Sequence, residues 1–192
     1  MNSKSLLAAC AVASLALGGA IAAPAAAQMS AMGQVKMVGG AAMYPSHNII
    51  QNAVHSRDHT TLVAAVKAAG LVGTLEEPGP FTVFAPTNEA FAMLPKGTVA
   101  KLLEPQNKAI LVKVLTYHVV PGRLTMSELR ARIRDGGGRA RLKTVEGEDL
   151  TVTERGGSLW VHDAKGGAAR VTISDVMQSN GVIDVINRVL MP

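Results

Sequence analysis

The spacing of apolar residues changes once along the chain, from helical in the first half to alternating in the second. Ile49, Ile50, Ala53 and Val54 recur at three- and four-residue intervals after Ser46, which predicts a short helix capped by that hydroxyl. Leu62, Val63, Val66 and Ala69 predict a second helix, capped by Asp58 or Thr60 and ended by Gly70. Leu71, Val72 and Leu75 add a short apolar turn before Pro78-Gly79-Pro80. Residues 81–91, FTVFAPTNEAF, then read as a strand that bends abruptly into a helix. Phe81, Val83 and Ala85 face one way, Thr82 and Phe84 the other, and Pro86 stops the run. Short helices follow over Asn88 to Met93 and around Val99, Leu102 and Leu103. Asn107 precedes and caps a strongly apolar helix through Ile110, Leu111, Val114, Leu115 and Val119, which Pro121-Gly122 closes.

Ser127 opens a basic helix, ELRARIR, which Gly136-Gly137-Gly138 terminates. The period then drops to two. The segments ARLKTV, DLTVTE and SLWVHD are separated by glycine turns at Glu146-Gly147, Gly156-Gly157 and Lys165-Gly166-Gly167. ARVTISDV and GVIDVINRVL complete the series. Alternating runs with turn signals at such spacing predict antiparallel β structure, a sandwich or a barrel. Helices first and hairpins after place the chain in the α+β class.

The beginning of the chain reads as a leader. Lys4 supplies a basic start, Leu6 to Ile21 is apolar and small, and Ala25-Ala26-Ala27 fits a cleavage site, so residues 1–27 are a secretory signal peptide. The protein is therefore expected to be secreted, extracellular or periplasmic, with no integral membrane span in the mature chain. Leu7-Ala8-Ala9-Cys10 has the form of a lipobox, but too little apolar sequence separates Lys4 from Cys10 for an ordinary lipoprotein signal. Removing the leader removes the single cysteine, and with it any disulfide, thiolate metal site or cysteine nucleophile. Residues 28–43 carry three glycines and no regular period, which predicts a flexible lead-in to a domain over 44–192. Nineteen Lys and Arg become 18 in the mature chain against 14 Asp and Glu, a formal charge of +4, which permits anionic partners without demanding them.

The candidate chemistry is sparse. There is no GxSxG elbow, HExxH, P-loop or GxGxxG after a strand, and the chain is read as non-enzymatic. Met29, Met32, Met37 and Met43, followed by His47, His55 and His59, have the ligand types for copper, but their spacing is irregular and no cofactor is assigned. Glu146, Glu148 and Asp149 surround a glycine turn and supply too few oxygens for calcium. Arg130, Arg132, Arg134, Arg139, Arg141 and Lys143 form a basic run offset nearby only by Glu128 and Asp135. In an exported protein this is a candidate patch for anionic polysaccharide, lipopolysaccharide or phosphate-bearing surfaces, or a solvated face; nucleic acid is not expected.

Three motifs in fixed order resemble the fasciclin-like (FAS1) domain family. They are Thr82-Val83-Phe84-Ala85-Pro86-Thr87-Asn88 with Ala90-Phe91, then Tyr117-His118-Val119-Val120, then Gly181-Val182-Ile183-Asp184-Val185-Ile186 with Val189-Leu190-Met191-Pro192. The resemblance implies a wedge-shaped β-sandwich with helices packed around one edge. In that fold the first motif is a central strand beside the third, and Phe81, Thr82, Phe84, Pro86, Thr87, Asn88, Phe91 and Asp184 are structural signature residues. Thr87 is expected to cap the following helix, with Asn88 serving nearby backbone. Asp184 stands where many bacterial relatives carry histidine; a hydrogen bond or an edge position is expected for it. The resemblance also implies adhesion through a cell-surface or matrix protein or glycan, with Tyr117 and His118 as the candidate element, although their apolar neighbours predict burial. It implies, as the alternative, a carrier of a carotenoid or lipid in a groove between helices and sandwich, with Met93, Met126 and Met177 as adaptable lining.

Overall fold

A computed structural model describes residues 34–192. The proposed signal peptide, Cys10, Met29, Met32 and the first part of the proposed lead-in lie outside the described residues.

The described chain opens with a hairpin, not a flexible lead-in. Strands β1 (Lys36–Val38) and β2 (Ala41–Met43) pair antiparallel around Gly39-Gly40, both at positive φ (57° and 75°), as a tight two-residue turn requires. Val38 and Met43 are buried, and a Cβ on Gly39 would stand 2.4 Å from Ser56 Oγ, so the turn is pressed onto the domain. Seven short helices and a longer sheet follow. Helices α1 (Ile49–Ala53), α2 (Thr60–Ala69) and α3 (Val72–Glu76) precede β3 (Phe81–Pro86). Then come α4 (Asn88–Ala92), α5 (Thr98–Leu103), α6 (Lys108–Tyr117), β4 (Val119–Pro121) and α7 (Met126–Asp135). The chain finishes as β5 (Arg139–Lys143), β6 (Asp149–Arg155), β7 (Ser158–His162), β8 (Ala168–Gln178) and β9 (Gly181–Ile186). The last segment thus leaves the sheet at Ile186, and Asn187 to Pro192 pack as irregular chain.

The caps depart from the sequence reading. Asn48, not Ser46, caps α1 in a reciprocal box with Gln51. Thr125, not Ser127, caps α7 in a second box with Glu128. Asn107 stands before α6 but turns its amide back to Lys101 O and Glu104 Oε2.

The seven-stranded sheet has the order β4-β3-β9-β8-β7-β6-β5, with β3 and β9 parallel and every other pair antiparallel. Strand β8 pairs with β7 through its first residues and with β9 through its later ones, and bulges between Val171 and Val176 bend it. The two halves of the sheet therefore close on one another, and Val145 N–H donates to Val119 C=O (2.8 Å) where the far edges meet. The architecture is the α+β sandwich expected, curved almost into a barrel. Two cores result. Val83 and Ala85 of β3 and Ile183 and Val185 of β9 pack on the helices α1–α6. Phe84 and Ile186, on the opposite faces of the same strands, join Leu142, Leu150, Val152, Leu159 and Val161 inside the curved sheet, beneath Leu129 and Ile133 of α7.

Candidate functional site

Strand β3 is buried on both faces because it divides these two cores. Phe84 is fully buried, Phe91 is buried and Phe81 is half-buried. Thr82, also fully buried, donates to Gly122 C=O (2.7 Å) and accepts from Leu124 N–H (2.9 Å), which fixes the link between β4 and α7. Pro86 ends β3 in register with Ile186. Alternation puts its missing N–H on the side of Phe84 N–H, which bonds His118 C=O (2.9 Å), and β4 pairs no further than Val83, so no donor is needed there. Thr87 Oγ1 accepts from Ala90 N–H (3.3 Å) and caps α4. Asn88 serves a different helix. Its Oδ1 accepts from Thr61 N–H in the first turn of α2 (3.0 Å), and its amide donates to Arg57 C=O (2.8 Å).

Tyr117 and His118 end α6 inside the protein. Tyr117 is fully buried; its hydroxyl donates to Asp149 C=O (3.3 Å) and accepts from Ala164 N–H (3.0 Å). His118 is 3% exposed. Its Nδ1 donates to Val114 C=O (2.8 Å), which leaves Nε2 to accept from Leu190 N–H (3.0 Å). Burial lowers its pKa to about 4, so the ring is neutral. Both side chains are committed to internal partners, and the proposed adhesion element offers neither of them to a partner protein.

Asp184 lies opposite Phe84 in the middle of the sheet, not at an edge. It is 1% exposed, and its Oδ1 accepts from Asp175 N–H (2.9 Å) in the bent part of β8. Asp175 holds a positive φ of 52° there, and its own carboxylate accepts from Met126 N–H (2.7 Å). Burial, reinforced by the neighbouring Asp175, pushes the Asp184 carboxyl up to about 7.

The first core holds an apolar cavity of about 80 Å³ lined by Met43, Ile49, Leu62, Val66 and Phe81 among others. It is smaller than the ~150 Å³ that admits one benzene, so a carotenoid or long lipid would have to open the core. His59 borders it, with Nδ1 on Ser56 Oγ (2.8 Å) and Nε2 buried without a hydrogen-bond partner. Met43 packs in the same core, and among the described residues no group of three His, Cys, Asp or Glu stands close enough to hold a metal. The acidic turn is occupied from within: Lys113 Nζ lies 3.5 Å from Glu146 and 3.0 Å from Glu148.

The basic run divides. Arg130 is half-buried and tied to Glu154 Oε1 and Gly157 C=O, both at 3.0 Å. Arg132 and Arg134 are exposed on α7. Arg139, Arg141 and Lys143 alternate along β5 on the outer face of the sheet, all exposed.

A family model for the Fasciclin domain matches residues 57–192. The chain belongs to the Fasciclin domain family. Protein sll1483 of Synechocystis sp. is 44% identical over 168 residues, covering 88% of this chain and 86% of that one. Transforming growth factor-beta-induced protein ig-h3 of Sus scrofa is 40% identical over 131 residues, which cover 68% of this chain and 17% of that longer protein. Among solved structures, a FAS1 domain pair from the insect cell adhesion molecule Fasciclin I superposes with a TM-score of 0.69 at 18% identity, over 78% of this chain and 52% of that one.

In this Fasciclin domain the β1–β2 hairpin and α1 lie ahead of the matched segment yet contribute Val38, Met43 and Ile49 to the first core. Sequence reasoning also missed Asn52 and Asn180. Asn52 bonds Gln178 and the Tyr44 backbone, and Asn180 accepts from Ile49 N–H (3.0 Å) while donating to Leu75 C=O (2.8 Å). Buried amides leave no periodic trace in a sequence. Their signal is the turn Ser179-Asn180-Gly181, which reads locally as a loop.

Proposed function

We propose that this Fasciclin domain is an exported, non-enzymatic binding module that acts at the cell surface or in the extracellular matrix, in adhesion or a related interaction. The observation that carries the reading is a contrast in how polar groups are used. Tyr117, His118, Asp184 and Thr82 are buried and hydrogen-bonded within the fold, whereas Arg139, Arg141 and Lys143 stand exposed on the outer face of β5 with no acidic partner among the described ion pairs. Groups spent inside hold a scaffold; unpaired surface cations are available to something outside it. Export rests on the leader over residues 1–27. The shared fold with a domain pair from an insect cell adhesion molecule is in keeping with an adhesive role.

The test is a fractionation followed by a binding assay. The mature protein, beginning near Gln28, is expected in the periplasm or medium, and the labelled protein is expected to bind intact cells or their matrix in a salt-sensitive manner. A cytoplasmic protein with its leader intact, or no retention on any cell surface at low salt, would overturn the reading.

A further inference from the structure

The outer face of the second half of the sheet has a composition that its register makes plain. Arg139 of β5 pairs with Thr153 of β6, Thr153 with Trp160 of β7, and Trp160 with Arg170 of β8. Residues opposite one another across a ladder point to the same side, so one row crosses four strands as cation, hydroxyl, indole, cation. At the usual interstrand spacing this row is about 14 Å long. A parallel row alongside it contains Arg141, Thr151 and His162, and His162 Nε2 stands 2.9 Å from Thr153 Oγ1, which orients that hydroxyl. Helix α7 lies against the inner face, through Leu129 and Ile133, and leaves this side open. Trp160 is half-exposed and Arg139, Arg141 and Arg170 are exposed. With Lys143 and Arg155 these strands present five outward cations, against Asp149 as the one outward acid among them.

We propose that this face binds an acidic polysaccharide, with the Trp160 indole stacking on the apolar face of a sugar ring and Arg139 and Arg170 holding carboxylate or sulfate groups on either side. The inference rests on the binding-module reading and gives it a partner class. The surface is an open pleated face, suited to an extended chain lying across it. Guanidinium groups match carboxylate and sulfate in planar, two-pronged geometry. A large ring between them supplies contact that charge alone does not, and distinguishes the site from a merely solvated basic surface. Threonine hydroxyls beside the ring can donate to or accept from sugar hydroxyls.

Trp160 is the single tryptophan of the chain, so indole fluorescence reports on this face alone. The mature protein is titrated with polygalacturonate (carboxylate), dextran sulfate (sulfate), neutral dextran and duplex DNA. Saturable change with either acidic polysaccharide and none with neutral dextran is expected, and which of the two binds more tightly identifies the anion. On the immobilised polysaccharide, Arg139→Gln with Arg170→Gln is expected to weaken binding about tenfold, and raising salt severalfold to weaken it further. Trp160→Ala is expected to weaken it comparably; the exposed arginine pair keeps the test valid if that variant unfolds. Arg132→Gln with Arg134→Gln, on α7, is expected to change it less than about twofold. Equal losses from both arginine pairs would mean diffuse charge and overturn the proposal, as would tighter binding to DNA than to either polysaccharide. Retention on cells without binding to any acidic polysaccharide would overturn this inference and leave the binding-module reading standing. Failure of both assays would remove both.

Discussion

His118 Nε2 accepts the amide hydrogen of Leu190 across 3.0 Å, joining two residues 72 positions apart in a site closed to solvent. Because Nδ1 is already donating to Val114, the tautomer is fixed and the ring pins the last residues of the chain to the end of α6. His118→Leu keeps an apolar side chain of similar bulk and leaves the Leu190 N–H without a partner. We expect a loss of about 2–3 kcal/mol in urea unfolding, with faster hydrogen exchange at Leu190. Unchanged exchange there would show that the bond does not hold the terminus.

Asn88 reaches from one helix start to another. Asn88→Ala removes the acceptor for Thr61 N–H and the donor to Arg57 C=O, and should destabilise the domain by about 1–2 kcal/mol. Thr87→Ala removes only the local cap of α4 and should lower stability by about 1 kcal/mol. If Thr87→Ala proves the more damaging, the link between the helices is not what conserves the corner's geometry.

Phe84→Ala empties a fully buried ring site in the second core and should lower stability by about 3–5 kcal/mol. A melting temperature lowered by less than about 3 °C would contradict that packing.

Asp184 and His118 oppose one another in their response to acid. The folded Asp184 carboxyl, raised to about 7, keeps a proton that the unfolded chain loses near the ordinary carboxylate pKa. Its contribution is therefore greatest at low pH and falls as pH rises toward 7. The folded His118, lowered to about 4, refuses a proton that the unfolded chain takes up near 6.5, so its contribution is lost as pH falls through that interval. Across their shared window, each group alone would give a slope of about 1.4 kcal/mol per pH unit, and the signs cancel. Asp184→Asn removes one side of the balance. Wild-type stability should fall only gently on acidification from about pH 6.5 to 4, through buried His59, which acts in the same direction as His118, whereas the variant should lose stability steeply over the same interval. Parallel curves for the two proteins in denaturant titrations would refute this.

Much of the fold was legible where the physics is local. The half-exposed strands β5 to β7 follow the alternation of RARLK, DLTVTER and SLWVH to within a residue or two, because a sheet with one wet face writes its period into the chain. The β1–β2 hairpin was missed: strands of three residues are too short to show a period, although Gly39-Gly40 is a hairpin signal. Caps were misplaced where the preceding turn offered a side chain competing partners, as it does for Asn107, which turns to Lys101 and Glu104. The burial of Tyr117 and His118 was foreshadowed by Leu115, Val119 and Val120. The row through Trp160 was not legible, since Arg139 and Arg170 meet it only through the register of three strand pairs.

The single backbone bond from Val145 to Val119 closes the sheet only at one end, so most of β5 remains a strand with unpaired amides and carbonyls facing outward. Such a rim is a template on which a second copy can add its own strand. Here Arg139, Arg141 and Lys143 make two rims repel, which guards the protein against stacking into ribbons.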